Sequence, residues 1–178
     1  STEGFNYKPR ADHDLLRQYS KGIIALSACI QGEVPQYILQ DNMDGARRAV
    51  EWYIETYGKD NFFLEIQNHG LPEELRAQQV LCQLADEYGL GIVASNDFHY
   101  VMKDDADAQD IRVCIQTGRR RAEVDRLKFP NDEFYLKSGD EMAELFGHIP
   151  GALENTVKIA DRCNVEFNFD EHHLPHFD

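Results

Sequence analysis

Apolar and polar positions alternate between two rhythms along the first part of the chain. Residues 22–29 (GIIALSAC) form a short apolar run that suits a buried parallel strand. Residues 34–40 and then 43–57 read as helices. In the second of these, Ala46, Ala49, Val50, Tyr53, Ile54 and Tyr57 fall at the spacing of one inward face, and Gly58 follows as a stop. Residues 61–67 (NFFLEIQ) predict a second strand. Pro72 opens the next helix at a position its ring tolerates, and Val80, Leu81, Leu84, Ala85 and Tyr88 make its apolar stripe up to Gly89. Residues 91–100 (GIVASNDFHY) predict a third strand.

Beyond Tyr100 the pattern changes. A helix is expected over 104–117, ending at Gly118, then a turn-rich extended segment over 129–137. Ser138 followed three positions later by Glu141 is a capping-box pattern, opening a helix that runs to about Phe146. Another helix is expected over 152–163, and the polar, aromatic tail 166–178 reads as a connector. Strand–helix alternation with short connections implies parallel strands joined by right-handed crossovers. Three such strands cannot close a barrel, and an open sheet of three leaves raw edges and an uncovered face. The fold class is therefore α/β, read as part of a (βα) barrel; a small three-stranded doubly wound domain is the alternative. In the barrel, Ile24, Leu26, Leu64, Ile92 and Ala94 are expected on an inner face shaped to meet further strands.

Charge narrows the range of functions. Thirty-two acidic against 18 basic residues give a net charge of −14, which argues against a surface built to grip a phosphate backbone. The local exception is Arg119-Arg120-Arg121 with Arg126 and Lys128, a pattern more often found in a solvated turn than in a nucleic-acid site. The hydrophobic fraction, 42%, is enough for a core and excludes a disordered chain. No apolar run approaches the ~20 residues of a membrane helix, and residues 1–10 lack the apolar core of a signal peptide, so a cytoplasmic protein without membrane contact is expected. The four cysteines include no C-x-x-C pair and read as reduced thiols. Cys82, Cys114 and Cys163 fall in helical apolar patterns and are expected as small buried hydrophobes.

Candidate chemistry gathers at strand ends. Asp97 and His99 are two apart, so on an extended chain they project to one side, and a carboxylate with an imidazole there suits a divalent metal. Taken alone, D-x-H is short and common, and Asp97 as a turn cap with His99 as a core histidine is the better reading of it. Cys29 also ends an apolar strand, before the Gly32-Glu33 turn, and a thiolate added to an imidazole and a carboxylate makes a set suited to zinc or a similar ion. His69, just past the second strand, is either a supporting group or a turn residue. His172, His173 and His176 resemble a metal tract in composition but read better as a solvated turn. No phosphate-cradling Gly-rich loop and no Ser-His-Asp nucleophile pattern is present.

These residues lie in blocks that together resemble a known family. GIIALSAC with Gly32-Glu33, LEIQNHGLP at 64–72, ASNDFHY at 94–100, CIQTG at 114–118, FYLKS at 134–138 and HLP at 173–175 resemble, in that order, the PHP (polymerase and histidinol phosphatase) domain of bacterial DNA polymerase III alpha subunits. The resemblance covers nearly the whole chain. It implies a partial distorted (βα)7 PHP barrel followed by a helical segment: the C-terminal portion of the barrel over 1–103, a helical remainder over 104–165, and a connector toward the polymerase palm over 166–178. It also implies a trinuclear site for divalent metal ions, Zn or Mn, of whose ligands Cys29, Asp97 and His99 are matched here. The other ligand motifs, an H-x-H and an Asp-His pair among them, precede Cys29 in the family and are not matched, and neither are the palm aspartates. The chain by itself is therefore expected to hold a partial or empty metal site, no complete catalytic set, and neither polymerase nor nuclease activity. Two function classes stay open for the intact domain. One is a 3′–5′ exonuclease or related phosphoesterase within a DNA-directed DNA polymerase of chromosome replication; the other is a non-catalytic scaffold that docks a separate proofreading exonuclease subunit. The implied partners are the remainder of the alpha subunit, that exonuclease subunit, and DNA through the parent polymerase rather than through this acidic segment.

Overall fold

In the computed structural model residues 5–170 are described; His172, His173 and His176 lie outside the described residues. A short antiparallel pair, β1 (Phe5–Asn6) and β2 (Lys8–Pro9), turns at Tyr7 and leads into α1 (His13–Gln18), capped by the Asp12 side chain accepting from the Leu15 N–H. Neither element was evident in the apolar pattern, because α1 buries none of its residues. Then come β3 (Ala25–Leu26), α2 (Glu33–Leu39), α3 (Met43–Tyr57), β4 (Phe62–Ile66), α4 (Pro72–Tyr88) and β5 (Gly91–Ala94). The strands form a parallel sheet in the order β3-β4-β5, as the alternation requires. Helices α5 (Ala106–Thr117), α6 (Gly139–Phe146) and α7 (Glu154–Arg162) complete the chain.

The predicted helices and the second strand hold closely, and the first and third strands do not. α3 has the expected bounds, and the Ser138–Glu141 capping box opens α6 as its spacing indicates. The first and third strands are far shorter than their apolar runs. β3 stops because Ala28 turns into the left-handed region at φ 63°, and Gly32 packs so tightly beneath that turn that a Cβ there would overlap the Ser27 carbonyl oxygen. β5 stops at Ala94, although the Ser95 N–H still donates to the Ile66 carbonyl. The chain then folds back on itself, with the Phe98 N–H donating to Asn96 O at 2.7 Å. It next runs beside the extended segment 134–136, where the His99 N–H donates to Phe134 O at 2.8 Å and Tyr100 bridges Tyr135 in parallel.

The two faces of the sheet divide differently from the sequence expectation. Leu64 and Ala94 do not await absent strands: with Phe62 and Ile66 they are buried in one core with Val34, Ile38, Ala49, Val50, Leu81 and Leu84 from the helices, and Ile92 packs against it. Side chains alternate along a strand, so the opposite face carries Leu26, Phe63, Glu65 and Val93. That face is partly polar: the Ser95 hydroxyl donates to Glu65, Gln67 Nε2 donates to both, and Ser27 Oγ accepts from the Glu65 N–H at 2.8 Å. The α7 end of the chain covers the outer edge of β5 through Asn155 Nδ2 donating to Ile92 O and the Ala94 N–H donating to Ala152 O. Among the described residues β3 has no ladder partner on its outer side. Of the cysteines, Cys114 is buried and Cys82 half-buried, but Cys163 is exposed, contrary to expectation, because α7 buries no residue. No helix of the described residues is long and apolar enough to cross a membrane.

Candidate functional site

Parallel strands deliver their following loops to one end of the sheet. At that end lies a cleft of about 510 Å³, lined by the segments after β3, β4 and β5, by α5 and by residues from 127–134. Cys29, Asp97 and His99 all line it. Asp97 and His99 touch, Nε2 to Oδ1 at 3.3 Å, each side chain about two-fifths exposed. They reach the same cleft from a loop rather than from strand alternation, since β5 has already ended. Cys29 stands at the turn after the strained Ala28, half-buried. Among the described residues no three His, Cys, Asp or Glu side chains gather closely enough to hold a metal ion by themselves.

Beneath the cleft is a buried polar pair that the sequence only hinted at. His69, 1% exposed, presents Nδ1 to Glu74 Oε1 at 2.7 Å, while its backbone N–H donates to Glu74 Oε2 at 2.6 Å. Glu74 sits in the first turn of α4, whose N-cap, Leu71, supplies no side-chain hydrogen bond, so the carboxylate reaches back beyond the helix start. Burial pushes the Glu74 carboxyl up; the hydrogen bonds from the His69 ring and backbone outweigh it and hold the group below the ordinary carboxylate range. His69 Nε2 has no hydrogen-bond partner among the described residues. The ring lies face to face on Phe134, centroids 4.3 Å apart and planes 3° from parallel. Asn131 Nδ2 donates to His69 O at 2.7 Å. Phe134, in turn, holds the His99 backbone and is part of an aromatic group with Phe129, whose ring is 4.6 Å from that of His99. His69 is therefore the buried anchor of the segment that holds His99, a role the proline-started helix with Glu at its third position could have signalled.

Three of the five residues of the basic run form ion pairs. Arg119 pairs with Glu123, Arg121 with Asp107 and Asp110, and Arg126 meets Asp110 with both terminal nitrogens at 2.5 and 2.8 Å. The hydrogen bond from Arg126 holds the Asp110 carboxyl below its ordinary range.

Comparison with known proteins fits this arrangement. The PHP domain family matches residues 1–69. The chain is 43% identical to DNA polymerase III subunit alpha of Treponema pallidum over 190 residues, covering 98% of the chain and 16% of that protein. It is 48% identical to the subunit of Deinococcus radiodurans over 93% of the chain and 12% of that protein, and 46% identical to that of Thermus aquaticus over 92% and 14%. The chain thus spans only 12–16% of the length of these relatives. It belongs to the bacterial DNA polymerase III alpha subunit family, with residues 1–69 in the PHP domain.

Proposed function

We propose that the cleft is one wall of a metal-dependent phosphoesterase site, acting as a 3′–5′ exonuclease within a larger PHP domain. The observation that carries this is the convergence of Cys29, Asp97 and His99 on a single cleft at the end of a parallel sheet. In kind, the donor set fits a divalent ion such as Zn or Mn: a thiolate, an imidazole and a carboxylate. In number it is partial, so the remaining ligands would come from other strands of the intact domain. Bound metal would supply Lewis acidity and a water of lowered pKa. This chain's own residues orient: Phe134 O fixes the His99 backbone, and Phe129 and Phe134 pack beside an imidazole that stays open to the cleft.

The unpartnered outer side of β3 is where such further strands would join to make a (βα)7 barrel, with residues 1–103 as its C-terminal portion, 104–165 as the helical remainder and 166–178 as the connector. The parent polypeptide would carry out DNA-directed DNA synthesis in replication, and the chain alone would be inactive. A second role, as a scaffold docking a proofreading exonuclease subunit, is favoured by the exposed apolar side chains Val101, Met102 and Leu136 grouped beside Lys103 and Tyr135. The discriminating experiment is hydrolysis of 3′-labelled single-stranded DNA by the full-length polypeptide with Mn²⁺. Turnover abolished by His99→Ala supports the enzyme; no turnover with any divalent ion leaves the scaffold.

A further inference from the structure

The cleft that Asp97 and His99 line is lined by cationic side chains as well. Arg112, on α5, and Lys128, on the following loop, both line it. Arg119, Arg121 and Arg126 are tied to carboxylates, whereas among the described residues Arg112 and Lys128, like Arg120 outside the cleft, have no carboxylate within ion-pair distance. Arg112 is instead held by a neutral group: its Nη1 donates to Oε1 of Gln109, a side chain only 7% exposed, at 3.3 Å. An amide orients a guanidinium without neutralising it, so the charge stays available to a ligand. Lys128 lies near enough to Asp110 to lower that carboxyl's pKa without contacting it. In a chain of net charge −14, Arg112 and Lys128 offset Glu74 and Asp97 in the lining of this cleft, so its formal charge is balanced. Leu127 and Phe129, which also line the cleft, offer apolar surface beside the charges.

We propose that Arg112 and Lys128 form the anion subsite of the cleft and take the phosphoryl oxygens of a nucleotide or nucleic-acid strand. The proposal rests on the phosphoesterase function above and adds to it the residues that would hold the substrate. Arg112 supplies a planar fork that can meet two phosphoryl oxygens, and Lys128 a point charge.

The test is a ¹H–¹⁵N NMR titration of the chain in EDTA at constant ionic strength, using inorganic phosphate in one arm and the dinucleotide d(TpT) in the other. The side-chain Nε–Hε of Arg112 and the amides of 127–129 are expected to shift saturably. Arg112→Gln and Lys128→Gln should each weaken binding roughly tenfold, the order expected for losing a charge-assisted hydrogen bond. Tighter binding of d(TpT) than of phosphate identifies an internal phosphodiester as the ligand, and the reverse identifies a terminal phosphate. Shifts that do not saturate, or that persist unchanged in both variants, overturn the subsite. The metal content of the full-length polypeptide, measured separately, keeps the two ideas apart: phosphate binding by the chain with no metal in the full-length protein sinks the metal site alone, and metal in the full-length protein without phosphate binding by the chain sinks the subsite alone.

Discussion

Replacing Glu74 by alanine should remove a large part of the fold's stability. Its carboxylate is 4% exposed and accepts from two buried donors, the His69 backbone N–H and ring Nδ1–H, at 2.6 and 2.7 Å. Deleting the acceptor leaves both donors unpaired, and each buried unsatisfied donor costs about 1–3 kcal/mol. The expected loss is therefore about 2–6 kcal/mol, out of the ~5–15 kcal/mol typical of a domain. Glu74→Gln keeps one acceptor oxygen and should lose about half as much, on the same basis. Proton linkage gives an independent signature. The folded-state pKa of Glu74 is depressed, so its stabilisation is complete above the ordinary carboxylate value of 4.5 and is lost as pH falls through the folded value. Urea unfolding followed by circular dichroism, at neutral pH and in an acid series, reads both effects. Wild type should lose more stability on acidification than Glu74→Gln. A Glu74→Ala loss below about 1 kcal/mol, or superimposable acid profiles for wild type and Glu74→Gln, would refute the buried pair as an anchor.

Three further outcomes are expected. Ser138→Ala removes the side chain that accepts from the Glu141 N–H, and should lower stability by about 1 kcal/mol with faster amide exchange confined to the first turn of α6. Gly32→Ala forces a Cβ into the Ser27 carbonyl, so the turn carrying Cys29 must move; amide shifts concentrated at 27–33 should accompany a lower melting temperature. In native chain treated with a thiol reagent, Cys163 should react first and Cys114 last, with Cys82 slow because burial raises its thiol pKa.

Where the sequence speaks through periodicity, it anticipates the structure well. The inward stripe of α3 and the Ser138–Glu141 cap are local signals, and both elements lie where those signals put them. Strand length is different, because an apolar run says that a segment is buried and not how far its ladder extends. The positive φ of Ala28 and the fold-back after Ser95 end β3 and β5 in the middle of apolar stretches, through contacts with Gly32 and Phe134 that are remote in the pattern. The sheet faces went astray for the same reason: deciding whether Leu64 or Phe63 meets the helices needs the register, which hydrophobicity alone leaves open on a strand buried on both sides. Of the cleft, Cys29, Asp97 and His99 were legible as ligand-type residues near strand ends. His69 was underrated because its role depends on Glu74, for which the proline-started helix gave a local sign, and on Phe134, for which no spacing did. The basic run is the solvated turn its pattern suggested, but which arginines are neutralised depends on carboxylates that α5 brings alongside.

The most direct test of the metal site is elemental analysis of the full-length polypeptide in which this segment occurs. Wild-type protein should be compared with Cys29→Ser, Asp97→Asn and His99→Ala variants, all purified without chelator. If the cleft contributes to a divalent-metal cluster, wild type should carry Zn or Mn in stoichiometric amount, each variant should carry less, and the triple variant should carry least. Wild-type protein free of bound metal, or a triple variant with unchanged metal content, would contradict a metal role for these three residues.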